Sequence, residues 1–381
     1  MSKGEVLERA INANPDDLGA HAAYADWLIE QGDPRGEFIQ VQLALEDPTK
    51  NEDERRILKA REMSLLREHG LHWLGGLAPF LTEEDPVAPL GKLQFARGWL
   101  HRLQVVHLTE KLATVLGNTD QIGLLQQLDI ERLGTAEAVA CLCRSSKLSN
   151  IRVLNVGAED VSLVNRALVN RTPFALELIR KLPKLTELVM REQVGNMREV
   201  FALKCLRCLT VLEVQVETGF RETDPALEAL ASNPAFGSLK HLRLCGHPTR
   251  ADGRLQVPHS GLRAFLESPN FRSLTHLTLR HADIGDDACD LIAKSDLFAS
   301  LRILDLSHDR IGDRGAGQLA AAETAKSLDE LCLSGNPLSE AGLSALRRAG
   351  VTVTFERTRV ELTDADFNFL HDDDSYEGDW E

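Results

Sequence analysis

Leu274-Thr-His-Leu277-Thr-Leu279, Leu301-Arg-Ile-Leu304-Asp-Leu306 and Leu328-Asp-Glu-Leu331-Cys-Leu333 are one phrase written three times, at 27-residue intervals. Each copy runs into a small polar turn and then an amphipathic stretch. Apolar residues alternate in the first part and return at helical spacing in the second, so each unit reads as a strand with a helical return. Such a unit cannot bury its own apolar side, and its leucines find shelter only where neighbouring units stack. The chain is therefore an array. Counting outward by the middle leucine gives Leu103, Leu128, Leu154, Leu188, Leu212, Leu242, Leu277, Leu304 and Leu331, with steps from 24 to 35 residues. Val351-Thr-Val-Thr-Phe355 reads as the last strand, closing the array.

The Leu-x-x-Leu-x-apolar phrase resembles the leucine-rich repeat. Ile284-Gly-Asp-Asp287 and Ile311-Gly-Asp-Arg314, with the long returns Asp286 to Leu297 and Arg314 to Ala325, are most similar to the ribonuclease-inhibitor-like subclass. That resemblance implies an α/β solenoid with a parallel sheet on the concave side and helices on the convex side. The consensus asparagine occurs only as Asn336; Asp309 and Ala282 occupy the equivalent sites.

The first 80 residues lack this repeat and read as a small all-α domain. Ser2 and Glu5 stand at capping-box spacing, and Asn14-Pro15 closes the helix that follows. Leu18 to Gln31 forms a second helix. Gly32-Asp33-Pro34 then supplies a terminating glycine, an N-cap and a first-turn proline in succession. Helices from Arg35 to Leu45 and from Asn51 to His69 complete the set. Asn14-Pro-Asp-Asp17, Tyr24-Ala-Asp-Trp-Leu28 and Gly32-Asp-Pro-Arg-Gly-Glu-Phe38 resemble the bacterial repeat-companion domain found beside leucine-rich repeats, and Phe95-Ala-Arg-Gly-Trp99 resembles its Arg-Gly-aromatic lead into them. The resemblance implies an interaction role and brings no active-site residues. The expected organisation is a companion domain at 1–81, a linker at 82–94 (charged, with two prolines), a solenoid at 95–360 and a tail at 361–381. Leu362 to Glu381 holds eight acidic residues and no lysine or arginine, a composition unable to order itself as a domain.

The formal charge of -15, from 43 basic and 58 acidic residues, argues against nucleic acid as a partner. No apolar run is long enough to suggest a membrane span. The opening residues carry no signal-like apolar run, and seven irregularly spaced cysteines fit a reducing compartment, so the expected location is cytoplasmic.

Candidate chemistry is sparse. Cys205-Leu-Arg-Cys208 has a zinc-knuckle gap but no second pair at matching spacing, so core packing is the expectation and no metal or cofactor is assigned. Tyr24, Asp26, Trp27, Asp33, Arg35 and Glu37 are dense but suit a capped, ion-paired helical core. No nucleophile elbow, phosphate loop or His-Glu-x-x-His occurs, and no catalytic residue is assigned.

Folding the phrase into a sheet is more informative. Positions flanking each middle leucine should face the concave side, giving Gln127, Asp129, Glu131, Glu187, Glu192 and Glu213 early, and His241, Arg243, His276, Arg280, His281 and His308 later. His241 should lie beside His276 and Arg243 close to Arg280, a cationic concentration that an acidic partner would offset. The polar stretch Gly246 to Arg254 leaves the same strand. The sequence thus reads as a non-enzymatic scaffold or adaptor that binds a protein on this face, the partner-binding set being His241, Arg243, His276, Arg280, His281, His308, Glu187 and Glu213. The alternative reading is a recognition or sensor subunit of a bacterial regulatory or defence complex. The acidic tail is expected to dock on the cationic strands, more firmly below about pH 6.5 as the histidines gain charge.

Overall fold

The computed structural model describes residues 2–84, 93–157, 172–193, 197–216, 226–246 and 257–356. The tail, the stretch 247–256 and most of the expected linker lie outside the described residues. The chain is a leucine-rich-repeat solenoid in which strands alternate with helical returns. It divides into two compact units, residues 1–157 with 173–189, and residues 158–172 with 190–381.

The first unit opens with α1 (Lys3–Ala13), α2 (Leu18–Glu30), α3 (Pro34–Leu45), α4 (Glu52–Leu74) and the short α5 (Ala78–Glu84). Their boundaries follow local chemistry. The Ser2 hydroxyl accepts the Glu5 N–H while the Glu5 carboxylate accepts the Ser2 N–H, and Asn51 and Glu54 repeat that reciprocal cap on α4. Asp33 caps α3, whose first residue is Pro34.

The sheet of this unit begins with β1 (Leu93–Ala96) antiparallel to β2 (Trp99–His107), a hairpin that leucine counting does not reveal. Its two-residue corner, Arg97-Gly98, has φ of 51° and 79°, the left-handed pair that hairpin twist favours. A Cβ at residue 98 would stand 2.2 Å from Ile39 Cγ1, so only glycine lets the corner press on α3. Three side chains fasten it there. Gln42 donates to the Phe95 carbonyl at 2.8 Å and accepts the Gly98 N–H at 2.7 Å, Arg35 donates to the Gly98 carbonyl at 2.8 Å while lying over Trp99, and Arg97 grips Glu46 at 2.8 Å. The Arg-Gly corner is thus where the helices and the first strands share one core, with Tyr24 stacked on both Trp27 and Trp99.

From β2 the pairing is parallel through β3 (Gln127–Arg132) and β4 (Val153–Val156), with α6 (Glu110–Asn118), α7 (Ala136–Cys143) and α8 (Thr172–Ile179) as returns. The units divide within β5 (Glu187–Gln193).

The second unit runs α9 (Arg198–Phe201), β6 (Val211–Val216), α10 (Ala226–Ser232), β7 (His241–Gly246), α11 (His259–Leu266), β8 (His276–Arg280), α12 (Gly285–Ala293), α13 (Asp296–Ser300), β9 (Ile303–Asp305), α14 (Asp313–Ala321), β10 (Glu330–Cys332), α15 (Glu340–Arg348) and β11 (Val353–Thr354). All pairs from β6 to β11 are parallel, and each aligns the middle leucines: Leu212 with Leu242, Leu242 with Leu277, Leu277 with Leu304, Leu304 with Leu331. These leucines are at most 1% exposed, as the repeat phrase requires.

Two sequence expectations change here. The return from Asp286 to Leu297 is two helices, because Ser295 caps a new start at α13. Cys205 and Cys208 do not fill the core: Leu206 and Leu209, both fully buried, take the inward positions, leaving Cys205 half-buried and Cys208 exposed.

Candidate functional site

Within the second unit, the residues alternating with the leucines form a polar face. Arg243 and Glu213 are direct register partners, and Arg280 lies opposite Cys245 rather than opposite Arg243, whose own partner is Thr278. The cations are therefore spaced by carboxylates. Glu213 stands 3.5 Å from Arg191 and 3.6 Å from Arg243, all three nearly buried, and Arg280 lies 3.9 Å from Asp305. In so dry a setting each charge needs its counter-charge close by.

In the first unit the corresponding acid is also met in place. Asp129 accepts from Arg102 at 2.7 Å, from Asn155 at 2.7 Å and from Gln127 at 3.1 Å, while Gln104 donates to Glu131 at 3.1 Å. The acids Asp129 and Glu131 and the cations Arg243 and Arg280 are therefore each met by partners within their own unit. Glu187 belongs to the part of β5 in the first unit, and the Glu192 side chain lies outside the described residues.

The histidines come together as the register implied. His241 faces His276 with ring centroids 4.0 Å apart, and His281 stacks on His308 at 4.6 Å with planes 13° apart. Burial, the neighbouring His276 and Lys240 push His241 down to about 4; burial also lowers His276, against the pull of Asp329. His241 is accordingly neutral well below pH 6.5, and His276 is displaced in the same direction, which corrects the expectation that the pair charges at the ordinary histidine value. His281 and His308 occupy the left-handed region, with φ of 52° and 62°, as do Asp283 and Arg310 nearby. Their column ends at Gly335, where a Cβ would stand 2.2 Å from the His308 ring.

Leucine counting misses what holds these strained turns. Asn336 accepts the N–H groups of Asp309 and Ile311, each at 2.9 Å, and donates to the carbonyls of Leu306 and Leu333 at 2.7 and 3.0 Å. One repeat earlier, Asp309 sits in the same place and accepts the Ala282 N–H at 2.5 Å. The signal was present in the sequence as an aspartate at the asparagine position.

Among the described residues, no group of three or more His, Cys, Asp or Glu could hold a metal ion, and no helix is long and apolar enough to cross a membrane. The first unit also holds a crevice of about 280 Å³ lined by His21, Arg97, Trp99 and His101.

No model of a known protein family matches the chain, and no curated protein matches it. Among solved structures, it is similar to a Bacteroides fragilis protein at 14% identity, covering 81% of this chain and 84% of that one, with a TM-score of 0.48. It is also similar to an internalin from Listeria monocytogenes at 12% identity, covering 74% of this chain and 96% of that one, with a TM-score of 0.29. At these values neither bears on function, and the fold rests on the repeat geometry itself.

Proposed function

We propose that the chain is a non-enzymatic interaction scaffold of the cytoplasm that binds a protein partner on the polar sheet face of its second unit. The supporting observation is the register of β6 to β9, which sets His241 beside His276 and fixes Arg243 and Arg280 on carboxylates. A row of ion-paired side chains on parallel strands loses little freedom on binding, and preorganisation of that kind lowers the cost of association. The half-buried histidines and Arg280 make the contact, and Arg243 and Glu213 fix the charge beneath it. The helical segment at 1–81 serves as a repeat-companion domain in this reading. A recognition subunit of a larger bacterial complex would use the same face, and the identity of the captured protein separates the two roles.

The test places a photo-crosslinking residue at position 276 or 280, with Lys294, an exposed residue beside α12, as control. One partner captured in cells from 276 and 280 but not from 294 is the expected result. Equal capture at all three positions, or none at any, overturns the assignment of this face.

A further inference from the structure

Asn336 shows what its position in the repeat demands: an acceptor for main-chain N–H groups on one side and a donor to two main-chain carbonyls on the other. Asp309 meets the first demand through the Ala282 N–H. Its other oxygen, Oδ2, is fully enclosed and finds no hydrogen-bond donor. Shifted back by one 27-residue repeat, the two carbonyls that Asn336 serves become those of Leu279 and Leu306, so an ionised Asp309 would turn a bare oxygen toward acceptors. Burying such an ion is costly, whereas a protonated oxygen there is a donor.

We propose that Asp309 is a neutral carboxylic acid in the folded repeats, its Oδ2 proton replacing the asparagine amide, and that this proton clamps the strained turns that present His281 and His308. The inference concerns the presentation of that pair and stands whether or not the pair binds a partner.

The surroundings favour the neutral form. Burial raises the acid well above its ordinary 3.8, and the carboxylates of Asp305 and Asp283 add to the rise, while the N–H groups of Ala282 and Asp283 oppose it. Arg310 is committed to Asp283 at 2.9 Å, and Arg280 lies by Asp305. From α12 Cys289 acts on the same neighbourhood, and its thiol is itself pushed up to about 12, chiefly by burial. The clamp spans the strain. Asp309 holds the turn at Ala282–Asp283 and Asn336 holds the turn at Asp309–Ile311, between them covering the left-handed residues His281, Asp283, His308 and Arg310. Left-handed backbone at residues other than glycine persists only where the surroundings fix it.

The sign follows from linkage. A folded-state value above the unfolded one gives a contribution that is full below about pH 3.8 and is lost as pH rises through the folded value. Asp309→Asn supplies the donor at every pH. His241 shifts stability in the opposite sense, but it is common to both proteins, so the difference between them isolates residue 309. The test is the melting temperature of wild type and Asp309→Asn from about pH 5 to about pH 8, with the Asp309 carboxyl ¹³C shift followed in the folded wild type. The expected result is an asparagine advantage that widens as pH rises, a carboxyl resonance still in its acid position at pH 5, and faster amide exchange at Ala282 and Asp283 in wild type than in Asp309→Asn at the upper pH. An advantage that is flat or shrinks with pH, or a carboxyl already ionised at pH 5, overturns the proposal. The carboxyl measurement decides the question even where a variant fails to fold.

Discussion

The carboxylate of Asp286 accepts the main-chain N–H of Gly312 at 2.7 Å, so a side chain in one repeat caps the helix of the next. Gly312 is the N-cap of α14 and has no side chain to do this itself. Asp286 also takes the Gly315 N–H at 3.0 Å, and Asp313 repeats the arrangement on Ser339, with an N–H at 2.8 Å. The Ile-Gly-Asp phrase is therefore a coupling between neighbouring units as well as a turn, and negative charge at a helix N-terminus adds to it. Asp286→Ala should cost about 1–2 kcal/mol in denaturant titration, the usual loss for an N-cap. A loss below about 0.3 kcal/mol would show that the coupling carries no stability.

Leu277 and Leu304 face each other in register and are fully buried. Truncating either to alanine should cost about 2–5 kcal/mol by loss of burial and cavity formation. Chemical denaturation measures it, and a cost below about 1 kcal/mol at both would contradict the shared core.

Glu213 lies between two buried guanidinium groups. Glu213→Gln leaves them without its charge, and breaking a buried pair on one side costs about 3–5 kcal/mol. Arg243→Lys should cost less, because it keeps the charge. If the glutamine variant melts like wild type, the pairing is not what fixes these side chains.

Thiol reactivity should follow the corrected burial. Cys208 is exposed, whereas burial pushes Cys143 to about 11 and Cys245 and Cys289 to about 12. The thiolate is the reactive form. Iodoacetamide at neutral pH should label Cys208 first and leave Cys245 and Cys289 untouched until denaturation, as read by peptide mass spectrometry; early labelling of Cys245 would contradict its place under Arg243 and Arg280.

Docking of the acidic tail is proposed on charge alone, residues 361–381 lying outside the described part of the chain. The lowered values of His241 and His276 shift its pH dependence: His241 should add attraction only as pH falls toward about 4, and His276 only below the ordinary histidine range. A synthetic peptide of residues 362–381, added to tail-deleted protein at low salt, should bind more weakly to Arg243→Glu/Arg280→Glu. No binding at millimolar peptide, or binding indifferent to that reversal, ends the proposal.

The strand register was legible in the sequence because the leucine phrase sits on one short stretch of chain and the pleat admits a single alternation. The same holds for the helix caps at Ser2, Asp33 and Asn51, which act within three residues. What the tertiary structure alone decided was which charges meet. Leucine alignment already sets Arg243 opposite Glu213 and Thr278, but the diagonal contacts, Arg191 on Glu213 and Arg280 toward Asp305, depend on side-chain reach between strands that no local pattern encodes. Burial, which lowers His241 and raises Asp309, is likewise a property of the stacked repeats. A cysteine pair read as core lies outside it, Cys205 half-buried and Cys208 exposed, because Leu206 and Leu209 take the inward positions and bury more apolar surface. Periodicity is written along the chain, whereas electrostatics is settled between strands that the chain brings together only by folding.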